Sequence, residues 1–340
     1  MTETMTVMRE SVLLRRRPNG MPINDDFEIV QEPIPKAGPG EVLTRTLFLS
    51  IDPYMRGRLS DRKSYATPVQ IGEAMTGETV GQVIASNDPG FAIGDFVVGP
   101  RGWQTHIVSK AAALSKIPAD HAPLPAYLGV LGMPGVTAYT GMTDIGRPKA
   151  GETVLISAAS GAVGSVAGQI AKRAGARVVG IAGGPDKCLF VQERLGFDAC
   201  IDHRGADLDS AIADACPQGV DVYFENVGGA VQAAAFKALN NFARIIMCGM
   251  VAQYNEAEFP PGPNLGFMVA KRVLMQGMLV SDKPERFAEW RALAGPWVKD
   301  GSLAYRETVI DDLRSAPAAL AMVLAGENFG KMIVRVAPEH

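Results

Sequence analysis

Two textures of hydrophobic patterning divide the chain. Over residues 1–125, short apolar or alternating runs such as EVLTRTLFLSID, ETVGQVIAS and DFVVGPRGWQTHIVS are broken by glycine and proline in KAGPGE and NDPGFAIGD. Short strands with such regular punctuation predict an all-β unit, sandwich or barrel-like. From residue 126 the period changes. TVLISAA, ARVVGIAG, FDACIDHR, VDVYFENVGG and RIIMCGM read as strands. AVGSVAGQIAKRAG, PDKCLFVQERLG, LDSAIADACPQG and VQAAAFKALNNFA read as the helices between them, the first two closed by Gly175 and Gly196. Alternation at this spacing predicts βαβ units and a parallel sheet. The near-continuous apolar strands VLISA, VVGIA and RIIMCG fit a sheet covered on both faces. Near residue 300 the texture loosens to two β-like runs, YRETVI and GKMIVRV, around the helix SAPAALAMVLAGE. The predicted fold class is α/β: a doubly wound parallel-sheet domain over 126–299, inserted in a β-rich domain made of 1–125 and 300–340.

The junction between TVLIS and the helix that follows carries almost no side chain. In AASGAVG, Gly161 and Gly164 stand three apart, with Ala159 two before Gly161. This is the dinucleotide fingerprint with alanine in its first slot, in the required strand–turn–helix context. Gly161 lets the backbone approach a pyrophosphate, and Gly164 permits close packing of helix on strand. The helix N-terminus at Ala162, Val163 and Gly164 offers N–H groups and a positive dipole end to the phosphates. The second strand of an NAD site usually ends in a carboxylate that holds the ribose hydroxyls. Here it ends in Ile181, Ala182, Gly183 and Gly184, and Asp186 is followed at once by Lys187. This pattern favours NADP, with Lys187 as a cation for the 2′-phosphate; the alternative is a solvated lysine in a first helical turn. His203 and Arg204, closing the third strand, offer further donors.

Composition narrows the function classes. Of 340 residues, 47% are hydrophobic and 20% charged, with a net charge of −3, an ordinary globular profile without a pull toward nucleic acid or an anionic membrane. The one basic run, Arg15–Arg17, reads as a solvated turn. No segment approaches the apolar length of a membrane-spanning helix, and the N-terminus lacks the order of a signal peptide. Cys188, Cys200, Cys216 and Cys248 form no C-x-x-C pair, which fits a reduced, cytoplasmic protein.

A hydride-transfer enzyme must stabilise charge on the substrate oxygen. The histidines, His106, His121, His203 and His340, pair with no cysteine at ligand spacing, and Thr76-Gly77-Glu78 stands where a zinc enzyme of this layout carries G-H-E. The expectation is a metal-free protein. A phenol is the other option. Tyr254, in CGMVAQYN just past the strand RIIM, lies at the carboxyl end of a sheet strand, the cofactor side of a doubly wound sheet; it is either an oxyanion donor or a packing residue of a surface loop. Tyr54 and Arg56, in SIDPYMRGRL, mark either a pocket wall or a polar turn.

With these pieces in order, the chain resembles the zinc-independent medium-chain dehydrogenase/reductases, in the branch of the prostaglandin, alkenal double-bond and curcumin reductases. The resemblance runs over nearly the whole chain and rests on IDPYMRGRL, GMPGVTAYTGM, the long run ISAASGAVGSVAGQIAKRAGARVVGIAGGPDK, YFENVGG, CGMVAQYN and GENFGKMIV. It implies a GroES-like β domain, a Rossmann domain and a homodimer. The implied activity is NADPH-dependent reduction of the carbon–carbon double bond of α,β-unsaturated ketones and aldehydes; a zinc-free quinone reductase on the same scaffold is the alternative. It implies cofactor contacts from Gly161–Gly164, Lys187, Asn226, Cys248 and Gly249, the stretch Met278, Leu279 and Val280, and Asn328. Tyr254 corresponds to the tyrosine beside the substrate. Where the family usually ends its third strand in tyrosine, this chain has His203, which puts the second phosphate contact in question. Loops 60–68 and 255–267 shape the substrate pocket.

Overall fold

The computed structural model describes residues 8–100, 102–118, 120–205, 207–258 and 260–339. Residues 1–7 and His340 lie outside the described residues. Chain contacts separate two compact units, one drawn from 8–128, 308–328 and 332–339, the other from 129–307 and 329–331.

In chain order the first unit starts with β1 (Met8–Leu14), β2 (Phe27–Pro33), β3 (Glu41–Ile51) and the one-turn helix α1 (Met55–Arg58). β4 (Glu78–Ser86), β5 (Phe96–Pro100), β6 (His106–Lys110) and the two-residue β7 (Ser115–Lys116) follow. The second unit opens with helix α2 (Met133–Thr140). It then alternates β8 (Thr153–Ser157), α3 (Gly164–Arg173), β9 (Arg177–Ala182), α4 (Pro185–Glu193), β10 (Ala199–Asp202) and α5 (Leu208–Ala215). β11 (Val220–Glu225), α6 (Gly229–Lys237), β12 (Leu239–Met247), α7 (Gly266–Lys271), β13 (Leu274–Gly277) and α8 (Glu285–Lys299) continue it. β14 (Glu307–Asp311), α9 (Ala316–Leu324) and β15 (Lys331–Arg335) close the chain.

The second unit's sheet has the order β10-β9-β8-β11-β12-β13, and every pairing in it is parallel. This is the Rossmann order 3-2-1-4-5-6, whose reversal point lies between β8 and β11. All five residues of β8 are buried, as a strand covered on both faces requires. Leu155, Val179, Ile181, Tyr223, Phe236 and Ile245 belong to one apolar cluster on this sheet. Each such side chain contributes about 1.5–3 kcal/mol by leaving water.

The first unit carries a seven-stranded sheet, β14-β15-β3-β4-β5-β7 with β6 also on β3, and a separate antiparallel pair β1-β2. Its core joins Val12, Leu49, Met55, Trp103 and Leu320. The arginine run is partly committed to this unit: the Arg16 side chain pairs with Asp26, and Arg17 donates to the carbonyl of Val69.

One local expectation is corrected. The helix expected over VQAAAFKALNNFA ends at Lys237, and β12 already begins at Leu239. Asn240 donates to Gln218 O and to Asp221 Oδ1, tying this stretch to the start of β11, while Phe242 takes a φ of 63°, outside helical space. β13 stops at Gly277, so Met278–Val280 lie beyond the strand. The residues after Asp52 form the one-turn helix α1.

Candidate active site

The phosphate turn follows from packing. Ser157 ends β8, and Ala158 turns the chain with a φ of 49°. Ala159 N donates to Ile181 O and Gly161 N to Ala158 O, both at 2.9 Å. A Cβ on Gly164 would stand 2.4 Å from Ala158 O, and one on Gly161 3.1 Å from the same atom. Glycine is therefore compulsory at 164, where α3 starts directly under the turn, and strongly favoured at 161. The resulting cradle has no side chain to block an anion at the N-terminus of a ten-residue helix, and it fits a dinucleotide pyrophosphate. Ala162 and Val163 are half-buried on its rim.

Two residues that the sequence reading missed hold α3 in place. Phe197 lies under it: a Cβ on Gly168 would come within 1.8 Å of the Phe197 ring. Gln169 donates to Ala304 O and accepts from Ala304 N. Neither carries a local signal, because each matters only through a distant segment.

At the reversal point a small network locks β8 to β11. The fully buried Glu225 accepts from Ser157 Oγ at 3.1 Å, Val227 N at 2.7 Å and Gly228 N at 3.0 Å. Asn226 donates from its backbone N to Ser157 Oγ and from Nδ2 to Ser157 O, each at 2.8 Å. The Asn226 amide is thus tied to the last carbonyl of β8. Ser157 and Glu225 lie within the quoted stretches ISAASGAVG and YFENVGG, yet neither stands out there as a site residue.

The turn after β12 hangs from the same network. Cys248 N and Gly249 N both donate to Glu225 O, Val251 N to Asn226 O, and Ala252 N to Val227 O. Burial, with Glu225 nearby, pushes the Cys248 thiol up to about 12, so it stays neutral. Tyr254 caps the short helical turn Val251–Gln253 and is half-buried. Its hydroxyl accepts from Met250 N at 3.4 Å, and a Cβ on Gly249 would stand 3.2 Å from it. The phenol oxygen therefore lies over the Gly249–Met250 backbone, at the carboxyl edge of the sheet. Met278 N donates to Met247 O at 3.3 Å, which brings the chain beyond β13 beside this turn.

Lys187 lies in the first turn of α4, half-buried, while His203 and Arg204 follow β10 and are exposed. Burial first, then the Arg204 cation, holds the His203 imidazole below its ordinary value.

The remaining predicted residues belong to the first unit. Tyr54 precedes α1; burial, then Asp52 and Glu78, raise its phenol above the ordinary value, so it stays neutral. Arg56 is buried and donates from Nε and Nη2 to Gly20 O at 3.2 and 3.0 Å, which binds α1 to the loop before β2. Asn328 is half-buried between α9 and β15. Among the described residues no three His, Cys, Asp or Glu side chains gather in a metal-binding group, and no helix is long and apolar enough to cross a membrane.

Comparison with known proteins agrees with this architecture. Residues 10–117 match a family described as the N-terminal domain of oxidoreductase, and residues 162–298 one described as zinc-binding dehydrogenase. The NADPH-dependent curcumin reductase of Escherichia coli (strain K12) is 46% identical over 332 residues, covering 96% of each chain. The NADP(+)-dependent 2-alkenal reductase of Nicotiana tabacum is 39% identical over 98% of this chain and 99% of its own. The crystal structure of CurA from Vibrio vulnificus in complex with NADPH superposes with a TM-score of 0.92 at 45% identity, over 97% of this chain and 99% of that one. The chain belongs to the medium-chain dehydrogenase/reductase family, in the branch that includes curcumin reductase and alkenal reductase.

Proposed function

We propose that this protein is an NADPH-dependent reductase of the carbon–carbon double bond of α,β-unsaturated ketones and aldehydes. The observation that carries the reading is the Cys248–Tyr254 turn: it hangs from Glu225 and Asn226 at the reversal point of the sheet and holds a phenol over the Gly249–Met250 backbone. Relatives named for NADPH-dependent reduction of curcumin and of 2-alkenals support the same chemistry.

Bound NADPH supplies the hydride, which goes to the β-carbon of the enone. The double-bond electrons then move onto the carbonyl oxygen as an enolate. Tyr254 donates a hydrogen bond to that oxygen and keeps its proton, and a proton from solvent or a relay completes the α-carbon. One such donor is worth about 2.7–4 kcal/mol in a transition state. Ser157, Glu225 and Asn226 fix the backbone that carries the phenol. Gly161–Gly164 receive the pyrophosphate, and Asn226, Cys248, Gly249, Met278–Val280 and Asn328 contact the remainder of the cofactor. Lys187 holds the 2′-phosphate. Tyr54 and Arg56 are assigned to substrate binding, Tyr54 as a neutral phenol and Arg56 through the turn it fixes by its bond to Gly20.

The chemistry is zinc-independent in this reading, because Thr76-Gly77-Glu78 offers no imidazole at the ligand position. Four free thiols suit a reducing cytoplasm. The test is NADPH consumption over a panel of alkenals, alkenones, aryl enones and quinones, before and after exhaustive chelation. The account expects the saturated carbonyl product from enones and unchanged rates after chelation. Turnover of quinones alone, or activity lost with a stoichiometric metal, would overturn it.

A further inference from the structure

The loop 60–68 leaves the short helix α1 and returns beside it. The base it leaves from is firm: Met55 in α1 and Leu59 just past it are fully buried in the first unit's core. Arg58, the last residue of α1, closes the loop twice. Its carbonyl oxygen accepts from Val69 N at 3.0 Å, and its Nη1 donates to Thr67 O at 3.1 Å. Val69 is itself buried, and its own carbonyl accepts from Arg17 Nη1 at 2.6 Å. These bonds all fall at the returning foot of the loop; between the feet, residues 61–65 are exposed.

The same guanidinium lies over two rings. Its central carbon is 5.7 Å from the centroid of the Tyr54 ring and 5.9 Å from that of Tyr65, both within reach of a cation–π attraction. Its Nε is buried and meets no hydrogen-bond acceptor. An unmet donor on a charged group is costly, and the electron-rich ring faces offset that cost. Tyr54 packs against the core, whereas Tyr65 is 63% exposed. An aromatic side chain kept in place at the tip of a loop by a cation, and not by burial, leaves much of its ring open for another flat group to stack on.

We propose that Arg58 is a positioning residue that sets substrate specificity: it clasps loop 60–68 and holds Tyr65 beside Tyr54, so that the two rings form a platform for the aryl end of a conjugated enone. This rests on the enone-reductase reading above, in which Tyr54 is assigned to substrate binding, and extends it to a further residue and a substrate feature. Arg58 touches no reacting atom. It governs how firmly a flat, extended substrate is held, and a short alkenone that does not reach the platform is indifferent to it. Without the clasp, the loop and the Tyr65 ring have to be ordered at the expense of the substrate's own binding energy.

The test compares wild type, Arg58→Gln, Arg58→Lys, Tyr65→Ala and the double variant Arg58→Gln/Tyr65→Ala. The glutamine keeps the stem and a donor for Thr67 O but brings no charge to the rings. Steady-state kinetics with NADPH are measured on benzylideneacetone, an aryl enone, and on ethylideneacetone, its methyl counterpart. Trypsin cleavage after Arg62 and Lys63, followed by mass spectrometry, reads the loop without reference to activity. Arg58→Gln should raise the KM for the aryl enone roughly threefold to thirtyfold, the range of a cation–π contact. Its kcat, and the KM for the methyl enone, should stay within about twofold of wild type. Arg58→Lys should recover part of the loss, and loop cleavage should quicken in Arg58→Gln as the loop opens more often. Tyr65→Ala should lose the same aryl preference, and the double variant should lose no more than either single change. Equal rises in KM for both enones, a kcat loss shared by both, or losses that add in the double variant would overturn the proposal. If wild type reduces neither enone, the functional reading fails and the platform with it. The clasp then stands on faster cleavage of Arg58→Gln and falls if the cleavage rate is unchanged.

Discussion

At the residue scale, the account turns on which polar atoms are committed. Asn226 and Arg56 stand out in the sequence as candidate contacts, yet Nδ2 of one is tied to Ser157 O and the guanidinium of the other reaches Gly20 O. The Tyr254 hydroxyl oxygen accepts a long bond from Met250 N. Tyr254→Phe keeps the ring and its packing. Turnover should fall about tenfold to a few hundredfold, at roughly 1.4 kcal/mol per decade, with NADPH affinity near wild type; single-turnover kinetics with deuterated cofactor checks it. Lys187→Ala should raise the Michaelis constant for NADPH far more than that for NADH in steady-state assays. A third prediction concerns Glu307, which no motif marked. Burial raises its carboxyl from 4.5 to about 7, with Lys331 acting in the opposite sense, and its Oε1 has no hydrogen-bond partner. The folded state therefore binds this proton more tightly than the unfolded chain. The stabilisation is complete below about pH 4.5 and is lost as pH rises through about 7, a change of order 3 kcal/mol. Urea midpoints should show that decline in wild type and a flatter profile in Glu307→Gln.

At the element scale, the alternation of strands and helices over the second unit was legible because a parallel sheet covered on both faces needs continuous apolar strands, and glycine closes the helices between them. The phosphate turn was legible for the same reason: Gly164 meets Ala158 O through contacts only a few residues long. What escaped is non-local. The antiparallel pair β1-β2, whose second strand is mostly exposed, and helices α2 and α8 drew no expectation. The start of β12 at Leu239 was hidden because Asn240 finds its partners in Gln218 and Asp221, about 20 residues away. The contact of Gly168 with Phe197 belongs to this class. Gly168→Ala should destabilise by about 1–3 kcal/mol through overpacking, despite the better helix propensity of alanine. In chemical denaturation, combining it with Phe197→Leu should cost less than the sum of the two changes.

At the scale of the whole molecule, β13 is an edge strand, paired only to β12 in its sheet. Leu274 on it is 50% exposed, and Val269 in the preceding α7 82%. A bare apolar edge invites a second copy, as the family resemblance also implies. We expect a twofold dimer through this edge: light scattering at micromolar concentration should give twice the chain mass, and Leu274→Lys should shift it toward the monomer.

The central claim is that hydride is delivered to carbon rather than to a carbonyl or a quinone oxygen, and product labelling tests it most directly. With NADPH deuterated at the transferred position and a simple alkenone, the account predicts a saturated ketone carrying one deuterium at the β-carbon, its α-hydrogen coming from solvent. Deuterium on a carbinol carbon, an intact double bond in the product, or label arriving from NADH as readily as from NADPH would contradict it.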